Sequence, residues 1–158
     1  MALAKGINSY VTEAEADAYF LNRLDVDAWT AADSTMKEQA LISATLMLED
    51  IAWVGMAISE TQDLAFPRSG SYFDPRVGAL VYLSGEVPAR VIRATKELAY
   101  HLLNNEGLQD ETGGALDIKV GSIELSKVST PSKLSSVVRD IIKPLRVNGG
   151  SNAWFRAN

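Results

Sequence analysis

Ser9-Tyr10-Val11-Thr12-Glu13-Ala14-Glu15-Ala16-Asp17-Ala18-Tyr19 writes the start of the first ordered element of this chain. Thr12 and Glu15 have the capping-box spacing, in which the threonine oxygen accepts an orphan amide and the glutamate reaches back to the cap. Glu13, Glu15 and Asp17 suit the positive end of a helix dipole. Ala14, Ala18, Tyr19, Leu21 and Leu24 supply an apolar side, and Asp25-Val26-Asp27 favours local side-chain bonding over further helix. The pattern predicts a helix from Thr12 to near Leu24.

Downstream, Thr30 or Asp33 caps a longer helix. Its Met36, Ala40, Leu41, Ala44, Leu48 and Ile51 recur at spacings of three, four and seven. Ile42, Leu46 and Met47 widen the apolar surface, as in a helix buried in the core or pressed on a neighbour. Glu49-Asp50 close it side by side and read as solvated. Residues 55–86 read as irregular: Pro67 makes Phe66 extended, and Ser69-Gly70-Ser71 and Asp74-Pro75 are turn formers. Pro88 sits near the first turn of a third helix, with Val91, Ala94, Leu98 and Leu102 inward and Arg90, Arg93 and Glu97 on the other face. Asn104-Asn105-Glu106-Gly107 stops it.

The period then changes to two. Leu116, Ile118 and Val120, then Ile123, Leu125 and Lys127-Val128, flank Gly121-Ser122 and read as a β-hairpin. Pro131-Ser132 opens a last helix whose Leu134, Val137, Val138, Ile141 and Ile142 face inward until Pro144. The end is a Gly149-Gly150 joint followed by Trp154-Phe155-Arg156. The expected fold is mainly α: a small bundle of about four helices with one β-hairpin, a long central loop and an extended C-terminal tail. One domain spans 1–158, with a helical body at 1–107 (loop 55–86), the hairpin at 108–130, the C-terminal helix at 131–146 and the tail arm at 147–158.

Composition narrows the function. Hydrophobic residues make up 47% and charged residues 22% of 158, ordinary for a soluble globular chain. No apolar run reaches the roughly 18 residues of a membrane span, and the N-terminus has no secretory pattern. The lack of cysteine excludes disulfides and thiolate metal sites and fits a reducing cytoplasm. The net charge of −5 is unevenly spread. Residues 1–63 hold three bases against eleven acids, and residues 131–158 five bases against Asp140 alone. Such polarity suits docking on an acidic partner or on another copy.

Reactive constellations are lacking. His101 is the only imidazole, one helical turn after Glu97. No Cys can serve as nucleophile and no Ser is evidently placed beside the pair, so a packing role is the plainer one. Asp25, Asp27 and Asp33 hint at an oxygen cage, but a calcium loop begun at Asp25 would put Trp29, Thr30 and Met36 where ligands and glycine belong. Gly113-Gly114 and Gly149-Gly150 match no phosphate-loop or dinucleotide spacing. The reading is of a protein without enzymatic activity, cofactor or metal. Arg68, Tyr72, Phe73, Arg76 and Tyr82 interleave cations with aromatics, as single-strand binders do, although aromatics are normally buried in their own domain.

The Ser9–Tyr19 run, Ala28-Trp29-Thr30-Ala31-Ala32-Asp33, Lys37-Glu38 with Ala40-Leu41-Ile42, Phe66-Pro67-Arg68-Ser69-Gly70, Val87-Pro88 and Pro144-Leu145-Arg146 before Gly149-Gly150 occur in this order. Together they resemble a tailed-phage family of head–tail connector (adaptor) proteins, often labelled DnaT-like single-strand DNA-binding proteins. Where that family often has Trp before the Pro-Arg pair, this chain has Phe66. The resemblance implies a mostly helical subunit in a ring of twelve on the portal, joined to the next tail or neck component. Packaged double-stranded DNA would pass through without sequence-specific contact. It implies a place in the virion at the head–tail junction, in the host cytoplasm during assembly, and no membrane partner. Arg139, Lys143, Arg146, Trp154, Phe155 and Arg156 are then the portal-contact candidates. The alternative is single-stranded DNA binding through Arg68, Tyr72, Phe73 and Arg76.

Overall fold

A computed structural model describes residues 2–104, 116–120, 123–127 and 134–147. Thr12 caps helix α1 (Glu13–Phe20) with the complete box. Its Oγ1 accepts the Glu15 amide at 3.2 Å, while the Glu15 carboxylate accepts the Thr12 amide at 2.9 Å. α1 is shorter than its pattern predicts. Leu21 and Leu24, expected on its apolar side, are 84% and 90% exposed, and Asp25 turns the chain with a φ of 56°. A short unexpected helix follows, α2 (Asp27–Ala31). Its Trp29 stacks 4.6 Å from Phe20 and donates to Asp17 Oδ1 at 2.8 Å.

Of the two possible caps, Asp33 starts α3 (Ser34–Glu49), accepting the Met36 amide at 2.8 Å. Ala40, Leu41, Ala44 and Leu48 lie buried against α4 (Ala89–Leu103), which presents Val91, Ala94 and Leu98. Each such Leu or Val contributes about 1.5–3 kcal/mol by leaving water. Thr45 and Thr95 are also fully buried, and their hydroxyls donate one turn back to Leu41 O and Val91 O at 2.9 Å. α5 (Ser136–Ile142) covers the other side of α4 through Val138, Ile141 and Ile142. It is capped by Ser135 and begins later than Pro131-Ser132, which lie outside the described residues; Val137, expected inward, is 44% exposed.

The mainly helical expectation is overturned. The architecture of the described residues is mixed, with helices and a three-stranded antiparallel sheet, because the stretch read as a loop at 55–86 contains that sheet. β1 (Met56–Ala57), β2 (Arg68–Asp74) and β3 (Ala79–Ser84) lie in that order. β2 is rich in Gly and Ser, poor strand formers alone, but it pairs with Leu80-Val81-Tyr82-Leu83 and seats Tyr72 on the core. Pairing and packing override weak local propensity. Asp74 accepts the Arg76, Val77 and Gly78 amides, with Pro75 in the first corner of the tight turn. β4 (Leu116–Val120) and β5 (Ile123–Lys127) form the hairpin expected from their alternation, with Val120 opposite Ile123; its Gly121-Ser122 turn lies outside the described residues.

Two acids expected at the surface are structural. Glu49 takes the Tyr10 hydroxyl and, at 2.6 Å, the Ala65 amide. Glu97 is 3% exposed, accepting the Tyr19 hydroxyl at 2.5 Å and pairing with Arg23 at 3.1 Å. Burial, then the hydrogen bond to Glu97, pushes the Tyr19 pKa up.

Candidate nucleic-acid interface

Pleat alternation divides the β2–β3 hairpin into two faces. Tyr72, Asp74 and Leu83 point to the core, at most 9% exposed. The outer face carries Ser69, Ser71 and Phe73 opposite Ser84, Tyr82 and Leu80, with Met56 beside Ser69 on β1. Phe73 is 56% exposed, Leu80 64%, Met56 72% and Tyr82 78%. No member of this face is charged. In this register Phe73 and Tyr82 are diagonal neighbours, roughly 7–8 Å apart by the usual sheet spacing. β3 is the edge strand, with no partner but β2 among the described residues.

Beside Phe73 the surface drops into a groove of about 630 Å³. Phe73, Pro75, Pro144 and Val147 wall it, with Lys143 and Arg146 exposed on its lining. The far wall is positioned by backbone pairing: the Val54 amide donates to Leu145 O and the Val147 amide to Ala52 O, both at 2.9 Å. This pairing carries the residues after the short 3-10 turn Lys143–Leu145 across the chain, next to the sheet. Two groups of candidates, Tyr72 and Phe73 against Lys143 and Arg146, come from distant parts of the sequence and meet at one groove.

The predicted residues divide clearly. Arg68 faces the backbone, its guanidinium donating to Val54 O at 2.9 Å, Ala65 O at 3.2 Å and Gly55 O at 2.6 Å. It holds the segment before β1 to the segment before β2, a structural task. Tyr72 is buried, with its hydroxyl 3.4 Å from Asp74 Oδ2; burial first, and the Asp74 charge second, raise its pKa. Phe73 and Tyr82 are open to a ligand, and Arg76 is 80% exposed at its side chain on the hairpin turn. Arg139 is exposed on α5. Trp154, Phe155 and Arg156 lie outside the described residues. Sequence reasoning missed Met56 and Leu80, whose shared face requires a strand pairing that no single segment announces.

The arrangement is a mixed helix-and-antiparallel-sheet scaffold presenting an open aromatic face beside a basic groove. The chain matches, over residues 2–158, the model of the family described as "Putative DnaT-like ssDNA binding protein", and it belongs to that family. Comparison with curated proteins and with solved structures returned no match.

Proposed function

We propose that the protein binds single-stranded DNA on the outer face of the β2–β3 hairpin. One observation carries this reading: two exposed aromatics, Phe73 and Tyr82, sit diagonally on an uncharged sheet face, with Lys143 and Arg146 in the groove beside Phe73. Bases stack on rings without needing a sequence code, and nearby cations neutralise phosphates. Family membership supports the same reading. Salt should weaken binding in step with the phosphates neutralised, and Lys143 and Arg146 are the cations named at the groove. In fluorescence anisotropy with a labelled oligothymidylate, Phe73→Ala and Tyr82→Ala should each weaken binding by about 5- to 150-fold, the equivalent of ~1–3 kcal/mol of stacking per base. Lys143→Ala should reduce the salt slope by about one. An oligonucleotide left unbound at low salt, or bound equally well by the double aromatic variant, overturns the reading.

A second reading is favoured by the missing charge on that same face. Met56 and Leu80 on this face, Ile58 just after β1 and Val77 in the hairpin turn are each more than half exposed, and apolar patches mark protein contacts. In this reading the chain is a head–tail connector of a tailed phage, located in the virion. The face and edge strand β3 would be covered by neighbouring copies in a ring on the portal. Arg139, Lys143 and Arg146, with Trp154, Phe155 and Arg156, would be the portal contacts. The resemblance of Ser9–Tyr19 and Phe66–Gly70 to such proteins supports it. Mass measurement of the protein alone and mixed with portal particles tests it. A ring on the particle, lost when residues 149–158 are deleted, is the expected result. A monomer that ignores the particle refutes it.

A further inference from the structure

Away from the stacking face, a smaller cavity of about 280 Å³ lies between the hairpin turn, the first turn of α4 and the end of α5. Arg76, Arg90 and Arg93 all line it, and among the described residues Asp74 is the only acid that does. The carboxylate of Asp74 is already engaged: Oδ1 accepts Arg90 Nη2 at 2.7 Å and the Arg76 amide at 2.9 Å, while Oδ2 faces the Tyr72 hydroxyl at 3.4 Å. Arg90 also donates to Ile141 O at 3.1 Å, so it acts as a clamp between β2, α4 and α5. The other two guanidinium groups are not neutralised in this way. Arg76 Nη2 only approaches Asp74 Oδ2, at 3.9 Å, with its side chain 80% exposed. Arg93 is exposed and hydrogen-bonds the Tyr19 hydroxyl, a neutral partner that leaves its charge in place. Among the described residues the cavity lining therefore carries three positive charges against one negative.

We propose that this cavity is a phosphate site, in which Arg76 and Arg93 grip an oxyanion while the Arg90–Asp74 clamp holds the walls. Guanidinium forks match the oxygens of a phosphate in pairs. The volume is just below the ~300–1,000 Å³ usual for organic ligands, which suits a phosphate or pyrophosphate group over a nucleobase. The walls are preorganised, because the turn that carries Arg76 is locked by Asp74, and Arg90 and Arg93 ride on the start of a fifteen-residue helix. A free phosphate and a DNA backbone phosphate share this chemistry. The site stands whether or not bases stack on Phe73 and Tyr82.

Inorganic pyrophosphate is the first probe, titrated by calorimetry against sodium chloride of equal ionic strength. Wild-type protein should bind it, and Arg76→Ala/Arg93→Ala should weaken it by roughly tenfold or more, the loss expected for even one charged hydrogen bond. Both side chains are exposed, so the variant should keep the wild-type circular dichroism and unfolding midpoint. Phe73→Ala/Tyr82→Ala should bind pyrophosphate as wild type does. The second probe is the labelled oligothymidylate. Weakened binding by the arginine variant, with a salt slope lower by about two, assigns the site to backbone phosphate. Pyrophosphate binding with unchanged oligonucleotide affinity assigns it to a free phosphate compound. No pyrophosphate binding, or equal binding by wild type and the arginine variant, overturns the site.

Discussion

Substituting Gly55 by alanine tests how the sheet is joined to the helical body. Gly55 has a φ of +77°, which costs an L side chain about 1–2 kcal/mol. A Cβ built there would stand 2.1 Å from Ser69 O, a separation that must open to at least 3.0 Å, and 3.2 Å from Leu83 Cδ1. The obstacle is backbone, so β1 and β2 must part where Met56 faces Ser69. That movement also removes Gly55 O from the Arg68 guanidinium, 2.6 Å away. A charged hydrogen bond contributes about 1.5–3 kcal/mol, so the total loss should be about 3 kcal/mol or more. Gly78 is the control: its φ is +70°, but nothing lies within 4 Å of its virtual Cβ. Gly78→Ala should therefore show the backbone cost alone, about 1–2 kcal/mol. At ~2–4 °C per kcal/mol for a chain of this size, Gly55→Ala should lower Tm by about 6–12 °C or more and Gly78→Ala by about 2–8 °C. Urea midpoints at constant m give the same comparison. Equal losses in the two variants would show that close approach at Ser69 contributes nothing and that the β1–β2 junction yields freely.

Two further outcomes follow from buried charges. The Arg90 hydrogen bond holds the Asp74 carboxyl below the usual carboxylate range, outweighing its burial. Its stabilising contribution is therefore complete above the unfolded value, about pH 3.9, and is lost as pH falls through the lower folded value. Urea midpoints should drop on acidification below about pH 4, and Asp74→Asn should flatten that part of the curve while lowering the neutral plateau; an unchanged acid limb refutes the assignment. Glu97→Ala should cost about 3–5 kcal/mol, because it strips the partner from half-buried Arg23 and from the Tyr19 hydroxyl. A loss under 1 kcal/mol in denaturant titration would mean that both groups find water instead.

Local chemistry set the helices. The Thr12–Glu15 box, the Asp33 cap and the apolar spacing from Ala40 to Leu48 act within one or two turns, so neighbours in sequence suffice to specify them. The β4–β5 hairpin is legible for the same reason: alternation and turn lie within a dozen residues. Candidate binding residues were visible only as residue types. Phe73, Arg76 and Tyr82 stood out as exposed-loop chemistry, but so did Arg68 and Tyr72, and nothing local separates a ring facing solvent from one facing the core. The β2–β3 pairing makes that separation, sending Phe73 out and Tyr72 in. The carbonyls of residues 54, 55 and 65 likewise convert Arg68 from a candidate ligand-binder into a staple. Glu49 and Glu97 look like surface acids until partners from elsewhere in the chain surround them. The groove joining Phe73 to Lys143 and Arg146, and the cavity joining Arg76 to Arg93, depend on contacts between distant segments. Their free energy comes from burial and pairing across the fold, which no local window of residues contains.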